Sequence, residues 1–175
     1  MNLNKLFGAL IGVVLLSFPM AASSAQGESV MLLELKTGTV KIKLRDDLAP
    51  NHVERIKELV SEKFYDGIIF HRVIDGFMAQ TGDPTGTGMG GSEYPDLRAE
   101  FSNEPFKRGT LGMARSQHPD SANSQFFICF EDASWLNGQY TIFGEVIEGM
   151  EHIDAVEKGE PPANPDKIIS LRLAD

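Results

Sequence analysis

The sequence predicts a mainly β fold, a closed eight-stranded antiparallel β-barrel capped by two α-helices. Three observations lead there. Runs rich in β-branched and aromatic residues outnumber helical ones about eight to two; they recur at short, regular intervals bounded by Gly, Pro, Asn and Asp; and the pattern does not alternate strand with helix as a parallel α/β sheet does. The pattern favours a barrel or a sandwich; of the two, a closed barrel would leave no exposed strand edge, with the two helices plugging its open ends. With no repeat at a period of about 20 to 50 residues and no low-complexity linker, one domain follows.

The first 25 residues read as a leader outside that domain. Met1 to Lys5 carries one Lys and the free amine, Leu6 to Met20 is almost wholly apolar, and Ala21 to Ala25 is small, the three-part pattern of a secretory signal peptide cleaved after Ala25. The apolar run is interrupted by Gly12, Ser17 and Pro19 and falls short of the about 20 residues a membrane span needs; an uncleaved N-terminal anchor is the alternative. The domain then covers residues 26–175, 150 residues with 15 basic and 25 acidic side chains, a charge of −10 against −9 for the whole chain. A globule of that size buries about 68 to 70% of the surface its unfolded chain exposes, enough for one sizeable core.

Val30 to Leu35 and Val40 to Leu44 flank Thr37-Gly38 as a hairpin, with Val40, Ile42 and Leu44 alternating with Lys41 and Lys43. After Pro50 the period changes. Val53, Ile56, Leu59 and Val60 fall at helical spacing while Glu54, Arg55, Lys57 and Glu58 face outward, so a helix spans Asn51 to Glu62. Ile68 to Ile74 and Phe77 to Thr81 are strands joined by Asp75-Gly76, a strong hairpin signal. Thr110 to Ala114, Gln125 to Phe130 and Tyr140 to Ile147 add three more strands, and a short helix near Met150 to Glu157 precedes a final strand, Ile168 to Leu173.

Charge and cysteine usage exclude several functions. No cluster of Lys and Arg offers a phosphate-binding surface, so nucleic acid is not an expected partner. Cys129 stands alone, so no intramolecular disulfide can form, and on an apolar strand between Ile128 and Phe130 it reads as a small buried hydrophobe. His52, His71, His118 and His152 lack ligand spacing, and neither a metal nor another cofactor is expected. Gly86 to Gly91 satisfies GxGxxG, yet Ser92-Glu93-Tyr94-Pro95 follows where a nucleotide-binding helix should begin; it reads as a surface loop.

The densest cluster of chemistry is Phe70 to Gln80. If Asp75-Gly76 turns a hairpin, Phe70, Arg72 and Ile74 share a face, with Phe77 or Met78 and then Gln80 opposite them, an apolar groove holding one cation and one amide. Asn123-Ser124-Gln125-Phe126-Phe127-Ile128 again sets amides against a Phe pair, and Trp135-Leu136-Asn137-Gly138 adds an indole beside a Leu.

Taken in order, FHRVIDGFMAQTGD (Phe70 to Asp83), GTLGMAR (Gly109 to Arg115), SQFFI (Ser124 to Ile128) and WLNGQYTIFGEVIEGM (Trp135 to Met150), with the hairpin and helix at Val30 to Glu62, closely resemble the cyclophilin family of peptidyl-prolyl cis-trans isomerases. The resemblance covers essentially the whole chain after the leader. It implies the same barrel, an isomerase that accelerates Xaa-Pro isomerisation in exported proteins, and proline-containing polypeptides as partners, the protein acting as a monomer without stable membrane association once the leader is removed. Arg72 matches the family's catalytic Arg and Gln80 the amide beside it. Phe77, Met78, Phe127 and Leu136 match the proline pocket, His71 the neighbouring His, and Trp135 the rim indole associated with cyclosporin binding. The backbone at Ala114 and Arg115 matches the stretch that pairs with the substrate main chain.

There are departures from the family pattern. Thr81 replaces a more usual Gly, Arg115 and Ser116 stand where many members have Asn and Ala, and Tyr140 sits in the groove where His is common. These bear on substrate preference and cyclosporin affinity. A chaperone or binding module using the same groove is the alternative function. The leader, the absence of a KDEL-like end after Leu173-Ala174-Asp175 and the lack of a glycosylation acceptor point to the periplasm, with secretion as the alternative.

Overall fold

A computed structural model describes residues 29–174, so the leader read over residues 1–25 lies outside the described residues. Eight antiparallel strands and two α-helices follow in the order β1 (Val30–Leu35), β2 (Gly38–Leu44), α1 (Pro50–Ser61), β3 (Arg72–Ile74), β4 (Met78–Thr81), β5 (Thr110–Met113), β6 (Phe126–Cys129), β7 (Ile142–Glu148), α2 (Met150–Asp154) and β8 (Ser170–Leu173), with a 3-10 turn at Ser134–Leu136. They form one sheet in the order β3-β4-β6-β5-β7-β2-β1-β8.

The sheet is open and curled, which corrects the expected closed barrel. The edge strands β3 and β8 are not laddered to each other; irregular chain bridges them, through Gly67 N–H to Ile168 O (2.8 Å), Ile168 N–H to Ile68 O (2.9 Å) and Phe70 N–H to Asp166 O (2.9 Å). Pro161, Pro162 and Pro165 lie in the segment beside β3, and prolines have no N–H to donate, so no continuous strand can run there. The expected strand Ile68 to Ile74 shrinks to Arg72–Ile74 for the same reason. Phe70 therefore leaves the Arg72 face and lies wholly buried in the interior.

Alternation along the strands separates two apolar clusters. The concave interior is filled by Leu33, Val40, Ile42, Val73, Ala79, Leu111, Phe126, Ile128, Phe143 and Leu171, together with the Val53, Ile56, Leu59 and Val60 face of α1. The second cluster holds Met78 of β4 with Phe127 and Cys129 of β6, whose neighbours along those strands point inward, packed with Phe106, Leu136 and Ile142. That outer cluster carries the groove described below.

Turns differ in detail from the sequence reading. The first hairpin turns at Lys36-Thr37 with Leu35 facing Gly38, and a Cβ at Gly38 would stand 2.4 Å from His152 Nε2. The second takes a three-residue loop, Asp75-Gly76-Phe77, with Ile74 facing Met78, which places Met78 rather than Phe77 opposite the Arg72 face.

Helix α1 contains two surprises. Arg55, expected outside, is only 9% exposed: its Nη1 donates to Pro95 O at 2.9 Å and its guanidinium covers the Tyr94 ring at 4.8 Å. The helix also lacks a side-chain cap at Ala49. Glu100, from a distant loop, takes that role by accepting from Asn51 N–H (3.2 Å), His52 N–H (3.0 Å), Asn51 Nδ2 (2.7 Å) and His52 Nδ1 (2.5 Å). A carboxylate at the positive end of a helix satisfies donors that have no partner inside it.

Burial pushes the Glu100 carboxyl up, but hydrogen bonds from His52 and Asn51 outweigh it and hold the group below the ordinary value. Burial holds His52 below its ordinary value of 6.5, the Glu100 contact only partly opposing it. Both groups make the folded state bind protons less readily than the unfolded chain. Stability therefore declines as pH falls through about 6.5, where an unfolded His52 takes up its proton, and again in the carboxylate range as Glu100 is protonated. Chemical denaturation of Glu100→Ala at pH 7 is expected to show a loss of about 2 kcal/mol, with a shallower decline of stability in acid than the unsubstituted chain. An unchanged midpoint would remove Glu100 from its capping role.

Candidate active site

Antiparallel register builds the site. Arg72 on β3 faces Gln80 on β4, Gln80 faces Phe127 on β6, and Phe127 faces Gly112 on β5, so four strands contribute one row. Adjacent strands lie about 4.8 Å apart, so the row runs about 14 Å from the cation to the glycine. Gly112 is required by packing: a Cβ there would sit 2.3 Å from Phe127 Cζ and 2.7 Å from Phe106 Cε1, where the two rings stack at 5.8 Å.

Above this row lies a cavity of about 740 Å³. All eleven residues singled out in the sequence line it: Arg72 and Gln80, with His71, Phe77, Met78, Ala114, Arg115, Phe127, Trp135, Leu136 and Tyr140. Met78, Phe127 and Leu136 are buried and form an apolar floor. Trp135 stands on the rim, 58% exposed, with its ring 5.4 Å from that of Phe77. Tyr140 meets Phe127 edge-on at 5.8 Å and lies beneath the Arg115 guanidinium at 4.4 Å. Arg115 is anchored to the loop backbone, donating to Gln139 O (2.8 Å) and Ser116 O (2.9 Å).

The polar wall is a relay of amides. Arg72 Nη1 lies 3.5 Å from Gln80 Oε1, Gln80 Nε2 donates to Gln125 Oε1 at 2.9 Å, and Gln125 Nε2 donates to the carbonyls of Gly88 (3.1 Å) and Gly90 (2.8 Å). The glycine-rich loop is thereby tied to the guanidinium. Asp83 organises the loop from within, accepting N–H groups from Thr85 (2.7 Å), Thr87 (3.0 Å), Gly88 (2.6 Å) and Gly90 (3.2 Å). Burial raises the Asp83 pKa, but the Thr85 and backbone donors more than reverse this and bring it to about 2. A Cβ at Gly90 would fall 2.2 Å from Asp83 Oδ1, so the loop that resembles a nucleotide motif is shaped around its own carboxylate.

His71 is buried with neither ring nitrogen hydrogen-bonded, and burial holds its pKa below 6.5, with Asp83 opposing and Arg72 reinforcing that shift. It is therefore a neutral imidazole at pH 7. Cys129 lies under the floor, and burial pushes its thiol up to about 12, which leaves no thiolate at neutral pH. The groove thus offers an apolar floor, a cation with donors to spare and a fixed amide. It suits an uncharged group held flat against the floor while an electron pair develops at its edge.

Of the remaining lining residues, Gly86, Thr87 and Gly88 belong to the glycine-rich loop, whereas Glu160, whose Oε2 accepts from Arg72 Nε at 2.9 Å, and Pro161 were not found from sequence. The stretch 159–165 holds three prolines, and nothing in its periodicity shows that it folds back beside β3.

The family model for cyclophilin type peptidyl-prolyl cis-trans isomerases matches residues 30–173. A probable peptidyl-prolyl cis-trans isomerase of Brucella suis is 56% identical over 168 residues, covering 87% of this chain and 86% of its own. A peptidyl-prolyl cis-trans isomerase of Synechococcus elongatus is 40% identical over 142 residues, covering 81% and 94%. Among solved structures, a cyclophilin type isomerase of Cryptosporidium parvum superposes with a TM-score of 0.78 at 31% identity, covering 85% of this chain and 98% of its own; it has also been solved in the presence of the dipeptide Ala-Pro.

Proposed function

The chain belongs to the cyclophilin family of peptidyl-prolyl cis-trans isomerases, and from that premise we propose that Arg72 is its catalytic residue, with Gln80 beside it. The observation that carries this assignment is the single row in which Arg72, Gln80 and Phe127 face one another across three strands under one cavity.

Rotation about a peptide bond is opposed by amide resonance worth about 18 to 20 kcal/mol, and an Xaa-Pro bond isomerises unaided in tens to hundreds of seconds. When the bond twists, conjugation is lost and the proline nitrogen regains a lone pair. A guanidinium donating to that nitrogen stabilises the twisted form more than either planar form, as catalysis requires. No covalent intermediate or proton transfer is needed, in keeping with a neutral His71 and an undissociated Cys129. Met78, Phe127 and Leu136 hold the proline ring, with Phe77 and Tyr140 closing its sides, and the main chain at Ala114 and Arg115 pairs with the substrate backbone. The Cryptosporidium parvum relative studied with Ala-Pro supports a proline-containing peptide in this groove.

A hydrogen bond from a charged group contributes about 1.5 to 3 kcal/mol, and 1.36 kcal/mol is tenfold in rate, so Arg72 supplies about 10- to 150-fold. Arg72→Ala is accordingly expected to retain its circular dichroism and melting temperature while isomerisation of an Xaa-Pro peptide falls by that factor; near-wild-type turnover would overturn the assignment.

We further propose that the enzyme acts outside the cytoplasm, in the periplasm, on exported polypeptides. The charged, apolar and small-residue segments of residues 1–25 support export. The exposed Trp135 indole beside Phe77 supports cyclosporin as a ligand of the rim. Mass spectrometry of the protein from a periplasmic extract is expected to find an N-terminus at Gln26; an intact Met1 in the cytoplasmic fraction would contradict export.

A further inference from the structure

We propose that Glu160 is a positioning residue for Arg72, the group that fixes the plane of the guanidinium so that its free edge faces the substrate. The inference rests on the assignment of Arg72 as catalytic.

The chain delivers Glu160 to this position by design of its backbone. Gly159 exchanges two hydrogen bonds with Val73, N–H to O in each direction at 2.8 Å, which docks the segment against the residue next to Arg72. Gly159 has a φ of +150°, and a Cβ on it would lie 2.5 Å from Pro162 Cα and 2.8 Å from Pro161 O, so glycine alone fits. The next residue is then held beside β3, where its Oε2 accepts from Arg72 Nε at 2.9 Å.

An arginine side chain has four rotatable bonds, and ordering it costs rotamer entropy that fixed partners have already met before substrate arrives. Arg72 is anchored at two points. Glu160 takes the Nε–H, and Gln80 Oε1 lies 3.5 Å from Nη1. Among the described residues, Nη2 has no partner within the chain, and it is this side of the fork that remains for a substrate lone pair. The Glu160 contact is the shorter of the two and the one with charge on both partners, so it dominates the orientation. Because the two side chains are 43% and 52% exposed, solvent screens the pair, and the carboxylate directs the guanidinium without cancelling its charge.

Five proteins test this in one series: the unsubstituted enzyme, Glu160→Ala, Glu160→Gln, Arg72→Ala and the double variant that combines Glu160→Ala with Arg72→Ala. Isomerisation of an Ala-Pro peptide is measured by exchange NMR, with folding checked by circular dichroism. Glu160→Ala is expected to lower kcat by about 3- to 10-fold with KM within about twofold, the range an exposed but orienting ion pair supports. Glu160→Gln, whose side-chain oxygen still accepts from Nε, recovers most of that loss. In the Arg72→Ala background, Glu160→Ala costs nothing further, because the residue it orients is gone.

The proposal is overturned if Glu160→Ala turns over at or above the unsubstituted rate, if only KM rises, if Gln recovers nothing, or if the loss is the same factor in both backgrounds. If Arg72→Ala itself keeps full activity, the catalytic assignment fails first and the positioning role falls with it, an outcome distinct from loss of the Glu160 effect alone.

Discussion

A guanidinium can stabilise a twisted amide only where its edge and the surface that holds the proline ring keep a constant separation. Here that separation is set by antiparallel register. Arg72, Gln80, Phe127 and Gly112 occupy one row across β3, β4, β6 and β5, so the distance from cation to apolar floor is counted in inter-strand spacings. A slip of one residue in any of these pairings would turn the floor side chains into the interior and Val73 or Ala79 out into the groove. The two apolar clusters oppose this slip, because β4 and β6 bury side chains on both faces: Ala79 and Ile128 on one side, Met78, Phe127 and Cys129 on the other. Fold stability and catalytic geometry are thus held by the same residues.

The electrostatics follow the same economy. The protein carries an excess of acidic side chains, yet the groove wall is built of amides and carbonyls around Arg72, with Glu160 behind it. Gln80 and Gln125 relay the guanidinium's orientation to Gly88 and Gly90, and Asp83 holds that loop through four backbone donors. A carboxylate so well satisfied stays ionised far into acid, so the contacts that shape the loop persist well below neutral pH. On this proposal the amides of Gln80 and Gln125 leave the charge of Arg72 directed at a developing lone pair, and the buried apolar floor beside it strengthens what it offers.

Most of this was legible in the sequence because it is local. Alternation across Asp75-Gly76 put Arg72 and Gln80 on one face, and the phrase around Phe127 supplied the floor; all eleven site residues line the cavity. What could not be read depends on chain returning from afar. Closure of the barrel was expected because it would hide the strand edges and because the family resemblance implies a barrel, but Pro161, Pro162 and Pro165 remove the donors that a closing strand would need. Phe70 was placed with Arg72 by alternation, whereas the strand begins only at Arg72 and the ring turns inward. Arg55 was read as solvent-facing because a charge at helical spacing between Glu54 and Lys57 carries no sign of the Tyr94 ring that covers it. Glu160 and Glu100 escaped for one reason: each acts on a group far earlier in the chain, 88 residues for Glu160 and 48 for Glu100, by way of a loop, and loops have no period.

The central claim is that the shape of the cation matters as well as its charge. Arg72→Lys separates the two, since an ammonium keeps the charge but loses the planar fork and the Nε–H that Glu160 holds. The most direct measurement is exchange NMR on an Ala-Pro peptide with this variant, reading affinity and isomerisation rate from the same spectra. The account predicts that the peptide still binds within a few-fold while its isomerisation slows by about tenfold or more. A lysine enzyme that binds and isomerises the peptide at the original rate would contradict it.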